Sequence, residues 1–81
     1  MNLERLPLKH KARISGFDRS LLADHEARRL QELGFDEGVL VELLHHGPIG
    51  KDPIACRVGR MTIALRRRQA AAILVELEDR A

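Results

Sequence analysis

Ile54-Ala55-Cys56-Arg57-Val58-Gly59-Arg60-Met61-Thr62-Ile63-Ala64-Leu65 decides the fold. Two short runs rich in apolar and β-branched side chains flank Gly59-Arg60, and a two-residue connection with glycine first is the signature of a type II′ hairpin. The register checks itself. Pairing Val58 with Met61 sets Cys56 opposite Ile63 and Ile54 opposite Leu65, so the core-type side chains share one face while Arg57 and Thr62 share the other. A slip of one residue would destroy that segregation.

Upstream of the hairpin, Val39-Leu40-Val41-Glu42-Leu43-Leu44 reads as a strand with Val39, Val41 and Leu43 on one face and Leu40 and Leu44 on the other. Downstream, residues 67–72 read as one or two helical turns, and Ile73-Leu74-Val75-Glu76-Leu77 as a closing strand. Near the start, Lys11-Ala12-Arg13-Ile14-Ser15 alternates polar and apolar side chains, a strand that turns Ala12 and Ile14 inward. Leu22, Ala23, Ala27, Leu30 and Leu33 then recur at helical spacing with Asp24, Glu26, Arg28, Arg29 and Glu32 around them, which predicts one amphipathic helix over residues 22–33. Gly34 can take the left-handed conformation past its last turn, and Phe35 can pack back on Leu30, as a Schellman turn requires. The expected fold class is mainly β: a small barrel of about five strands, one amphipathic α-helix and a short second helical turn, with closure removing exposed edges.

The 81 residues allow one domain spanning 1–81, too small for a roomy catalytic cleft. No apolar run approaches the roughly 18 residues that suggest a membrane span. Met1-Asn2-Leu3-Glu4-Arg5 lacks the apolar core of a signal peptide, and the single Cys56 has no internal disulfide partner, so a cytoplasmic setting is expected. A net charge of +2 does not demand a polyanionic partner.

The chain is not expected to be an enzyme: it holds two Ser, one Thr, one Cys and no Tyr, none beside a base or in a nucleophile elbow. Cys56, inward in register, reads as a core residue. His45-His46-Gly47-Pro48-Ile49-Gly50-Lys51-Asp52-Pro53 concentrates imidazoles, a carboxylate and turn formers. With His25, the residues His45, His46 and Asp52 are weak candidates for an incidental divalent metal, because neutral imidazole with carboxylate suits such ions. Adjacent histidines on an extended chain point to opposite sides, so a solvated loop without a resident cofactor is the expectation. Gly50-Lys51 lacks the upstream glycine and the following Ser or Thr of a phosphate loop. Arg28-Arg29 and Arg66-Arg67-Arg68 read as solvated faces, since Phe17 and Phe35 are the only aromatic residues and no base-stacking platform exists.

Three segments carry a family resemblance. Leu30-Gln31-Glu32-Leu33-Gly34-Phe35-Asp36-Glu37-Gly38 resembles the R-L-x-x-L-G-F-x-x-G segment of the FeoA family. Gly47-Pro48-Ile49-Gly50-Lys51-Asp52-Pro53-Ile54 is similar to that family's P-L-G-D-P-I loop, with Lys51 as an added residue. Ile63-Ala64-Leu65-Arg66 with Ala70-Ala71 and Ile73 is similar to its A-L-R-x-x-x-A-x-x-I stretch. The resemblance runs from about Leu3 to Leu77. It implies an SH3-like β-barrel, a non-catalytic cytosolic accessory of ferrous iron uptake that binds a FeoB-type membrane transporter and meets the membrane through that partner. The same fold occurs at the C-terminus of iron-dependent repressors, but no helix-turn-helix precedes it here, so a stand-alone protein is expected, a monomer or weak homodimer.

The residues supply candidates for the partner contact: Leu30 and Leu33 on the helix stripe, Pro48, Ile49 and Gly50 at the tip of the loop, and Arg66 in the basic run, because apolar side chains ringed by polar ones mark interaction sites. Two alternatives stay open. A metal-responsive or iron-binding module would use His45, His46 and Asp52, and a nucleic-acid-binding barrel would use Arg66, Arg67 and Arg68.

Overall fold

The computed structural model of the chain describes residues 1–50 and 52–78, with Pro48 and Ile49 described in their backbone alone. A short 3-10 turn at Leu3–Arg5 precedes β1 (Lys11–Phe17), α1 (Asp24–Glu32), β2 (Leu40–Ile49), β3 (Asp52–Val58), β4 (Met61–Leu65), α2 (Arg67–Ala71) and β5 (Ile73–Leu77). The hairpin register expected from alternation is realised pair for pair: Val58 faces Met61, Cys56 faces Ile63 and Ile54 faces Leu65. Gly59 is left-handed at φ 59° while Arg60 is not, the glycine-first pattern of a type II′ turn.

The strands form one antiparallel sheet in the order β4-β3-β2-β1-β5. β1 serves two partners. It pairs with β2 as far as Arg13 opposite Leu40, and with β5 from Ala12 opposite Leu77 to Phe17 opposite Ile73, with a bulge between Ile14 and Gly16. Bulges raise local twist, and the sheet curls around a single core. Strands contribute Ala12, Ile14, Val41, Leu43, Ile54, Cys56, Val58, Leu65, Ile73 and Val75, and the helical segments and turns add Leu3, Leu6, Leu22, Ala27, Leu30, Phe35, Ala70 and Ala72. Each large side chain so enclosed contributes about 1.5–3 kcal/mol relative to exposure.

Closure differs from the expected barrel. β4 and β5 share no ladder; α2 joins them, packing on β3, β5 and the 3-10 turn. The wall between the two outer strands is therefore completed by side-chain packing. The N-terminal segment covers the start of β5, where the Met1 carbonyl accepts from the Val75 N–H at 2.8 Å and Asn2 bridges Leu74.

β2 is longer than the alternation implies and absorbs His45, His46 and Gly47, placed in a solvated loop by their turn-forming neighbours. Two register shifts, after Leu43 and after His46, accommodate the irregular stretch. Gly47 makes it possible: a Cβ there would lie 2.6 Å from the Asp52 carbonyl oxygen, so the two backbones approach closer than any side chain permits. α1 begins at Asp24, two residues later than its apolar stripe suggests, and Leu22 is buried from the preceding turn. The Glu26 carboxylate accepts from the Ala23 N–H at 3.2 Å, one half of a capping box whose other half an alanine cannot supply. The far end is a full Schellman motif: Phe35 N–H bonds the Leu30 carbonyl at 2.9 Å and Gly34 N–H bonds Gln31 at 3.0 Å, with Gly34 at φ 114°. No helix among the described residues is long and apolar enough to cross a membrane.

Candidate partner-binding surface

One corner of the molecule gathers residues that are far apart in sequence. Arg67, the first residue of α2, donates from Nε and Nη2 to Glu4 Oε2 at 2.9 and 2.6 Å, and from Nη1 to the Gly50 carbonyl at 2.8 Å. Its backbone N–H, one of the donors a helix start leaves unpaired, bonds Asp52 Oδ1 at 3.1 Å. One guanidinium thus ties the N-terminal turn, the β2–β3 tip and α2 together, using the rigid fork that distinguishes arginine from lysine. The group lines a shallow recess of about 420 Å³ with Arg68 and Ala71. Gly50 lines this recess and Arg66 immediately precedes α2, both exposed.

Arg68 is a second strut. It donates to Glu26 Oε2 at 2.6 Å and to the Leu21 carbonyl at 3.2 Å, joining α2 to the start of α1. The Arg68 hydrogen bond, assisted by the Ala23 N–H, holds the Glu26 carboxyl down at about 2, and the Arg68 guanidinium is shifted up in return. The basic run is therefore not a uniformly solvated face. Arg67 and Arg68 are spent on internal ion pairs, whereas Arg66 forms none among the described residues. Glu4 and Arg67 were invisible as a pair because 63 positions separate them and neither carries a local signal.

The helix candidates separate. Leu30 is only 1% exposed and belongs to the core, so it does not form part of an accessible contact. Leu33 is half-buried against that core. The end of α1 there abuts the β3–β4 hairpin: a methyl on Gly34 would sit 3.8 Å from Val58 and 4.0 Å from Met61, which is itself half-exposed. The side chains of Pro48 and Ile49 lie outside what the structure describes. A further depression of about 270 Å³, on the outer sheet face, is lined by Lys11, Val39, Leu40, Glu42 and Arg57. Leu40 was legible as an outward apolar residue, but only the sheet shows which neighbours surround it.

His45 is exposed and His46 half-buried in succession along β2, while His25 lies exposed on α1 and the Asp52 carboxylate is engaged by Arg67. No cluster of three or more His, Cys, Asp or Glu able to hold a metal occurs among the described residues. Cys56 is fully enclosed, donates to the Ile63 carbonyl at 3.3 Å, and burial pushes its thiol up to about 12. A thiol in that state is neither nucleophile nor metal ligand at neutral pH.

A family profile described as the FeoA domain matches residues 1–77. The chain belongs to the FeoA family. It is similar to iron(II) transport protein A of Clostridium thermocellum, at 35% identity and TM-score 0.85, over 96% of this chain and 46% of that one, so it spans less than half of that relative. It is also similar to the FeoA of Stenotrophomonas maltophilia crystallised with zinc, at 37% identity and TM-score 0.81, over 94% of this chain and 89% of that one. That protein is described as a prokaryotic SH3 domain protein and a candidate ferrous iron transport activating factor. T. acidophilum IdeR, 20% identical with a TM-score of 0.76 over 96% of this chain and 34% of that one, shows the fold alone. No curated protein matches the sequence. The FeoA motifs at residues 30–38, 47–54 and 63–73 and the SH3-like barrel they imply are thus both borne out.

Proposed function

We propose that the protein is a non-catalytic, cytoplasmic accessory of ferrous iron uptake that binds a FeoB-type membrane transporter and supports its activity. The observation that carries this reading is the FeoA match across residues 1–77, on an SH3-like barrel 37% identical to a candidate ferrous iron transport activating factor. The physical build agrees with a role exercised by occupancy rather than chemistry. The core is filled by apolar side chains, Cys56 is protonated, and the shortest ion pairs, Arg67 with Glu4 and Arg68 with Glu26, brace the framework. Such bracing holds the Gly50 tip and Arg66 in fixed relation, and a preorganised surface loses less entropy on association. The protein meets the membrane through its partner.

Immobilised protein should capture a FeoB-type transporter from detergent-solubilised membranes, and its addition to transporter reconstituted in vesicles should raise ferrous iron uptake. Failure of the folded protein to retain the transporter, both with and without guanine nucleotide, refutes this function in its direct-binding form.

A further inference from the structure

β4 is an outer strand paired with β3 alone. In an antiparallel ladder, residues of the non-hydrogen-bonded pairs turn their N–H and C=O away from the partner strand. Val58 and Met61 close the two-residue turn, so on β4 those residues are Thr62 and Ala64, and neither finds another backbone partner among the described residues. Both are exposed, as is Met61 at the head of the strand. β5, the other outer strand, is already engaged at its start by Met1 and Asn2.

The segment that carries the free edge has charge of one sign. Residues 53–75 contain Arg57, Arg60, Arg66, Arg67 and Arg68 and no Asp or Glu. Glu4 and Glu26 neutralise Arg67 and Arg68. Arg60 and Arg66, which bracket β4, are exposed and form no ion pair among the described residues. At about 3.3 Å per residue they stand roughly 20 Å apart along the edge.

We propose that the β4 edge receives an extended acidic segment of the partner protein, which pairs its backbone with Thr62 and Ala64 while its carboxylates meet Arg60 and Arg66. This rests on the transporter-binding reading above and names the surface and chemistry of that contact. A second copy of the chain is a poor occupant. Antiparallel pairing of two β4 strands about Ile63 sets Arg60 of one copy opposite Arg66 of the other at both ends, and directly opposed like charges destabilise a ladder. Two copies also bring edges of the same charge together, so the arginines favour a strand of opposite charge.

The test has two arms. In the first, the Arg60→Glu/Arg66→Glu variant, checked for native circular dichroism, replaces wild type in the transporter capture. Retention should fall about tenfold or more. Capture by wild type that the folded variant matches overturns the edge proposal and leaves the function standing, whereas absence of capture by wild type speaks against the function itself. In the second arm, the isolated protein is titrated with a capped synthetic peptide, Asp-Thr-Val-Thr-Val-Thr-Asp, and with its Lys-ended counterpart. The acidic peptide should slow amide exchange at Thr62 and Ala64 and shift resonances of residues 60–66. The double variant should reverse the preference, and N-methylation of alternate peptide nitrogens should abolish binding. Absence of binding at millimolar peptide, binding insensitive to N-methylation, or shifts centred away from β4 overturns the proposal.

Discussion

Replacing Leu30 with alanine removes a side chain that is 1% exposed, on the helix turn whose carbonyl is held by the Phe35 N–H at 2.9 Å. Buried Leu→Ala changes cost about 2–5 kcal/mol, more where the surroundings cannot collapse into the void. Here the surroundings are stiff. The Schellman turn fixes Phe35, the strands fix the opposite wall, and Arg68 pins the start of α1 to α2. The loss should therefore lie near 3–4 kcal/mol, a large part of the roughly 4–12 kcal/mol available to a chain of this size. At about 4–8 °C per kcal/mol the melting temperature falls by roughly 12–30 °C. Urea and thermal unfolding followed by far-ultraviolet circular dichroism measure it, with an unchanged urea slope as the sign that only stability moved. A loss under about 1 kcal/mol refutes the assignment of Leu30 to the interior and returns it to the surface as a contact residue.

Gly47→Ala should destabilise by about 1–3 kcal/mol and speed amide exchange at the tip of the β2–β3 hairpin, because its methyl would press on the Asp52 and Pro53 carbonyls at 2.6 and 2.7 Å. Glu26, held at about 2 against an ordinary 4.5, favours the folded state in its ionised form, so its contribution is present above 4.5 and lost as pH falls toward 2. Glu26→Gln should flatten the pH dependence of unfolding in that window, and an unchanged acid limb speaks against the Arg68 strut. Cys56, enclosed and held at about 12, should resist thiol reagents at mildly alkaline pH until denaturant is added; rapid labelling of the native protein refutes its burial.

What was legible in the sequence had its causes close together along the chain. The 54–65 register follows from one turn and two alternating runs, and the end of α1 follows from Gly34 and Phe35 against Leu30. The FeoA motifs are likewise local spacings of glycine, proline and apolar residues. What escaped depends on partners brought from a distance. Arg67 looks like any surface arginine until Glu4 and Gly50 arrive beside it, and the strand character of His45-His46-Gly47 exists only because β3 lies close enough to require a missing Cβ. Leu30 and Leu33 share a stripe, yet only the position of the sheet decides that one is enclosed and the other half-open.

The place of β1 in the sheet bears on the birth of the chain. It is synthesised early, but one of its two neighbours is β5, formed by residues 73–77, and the N-terminal segment waits for the same strand. Until residues 73–77 have left the ribosome, β1 therefore carries an unsatisfied flank, and folding of the sheet is postponed rather than progressive. A codon-level pause between β1 and β5, or loss of β5, prolongs the interval in which that flank is open to another nascent chain. For this protein the timing of synthesis and the risk of aggregation are set by the same ladder.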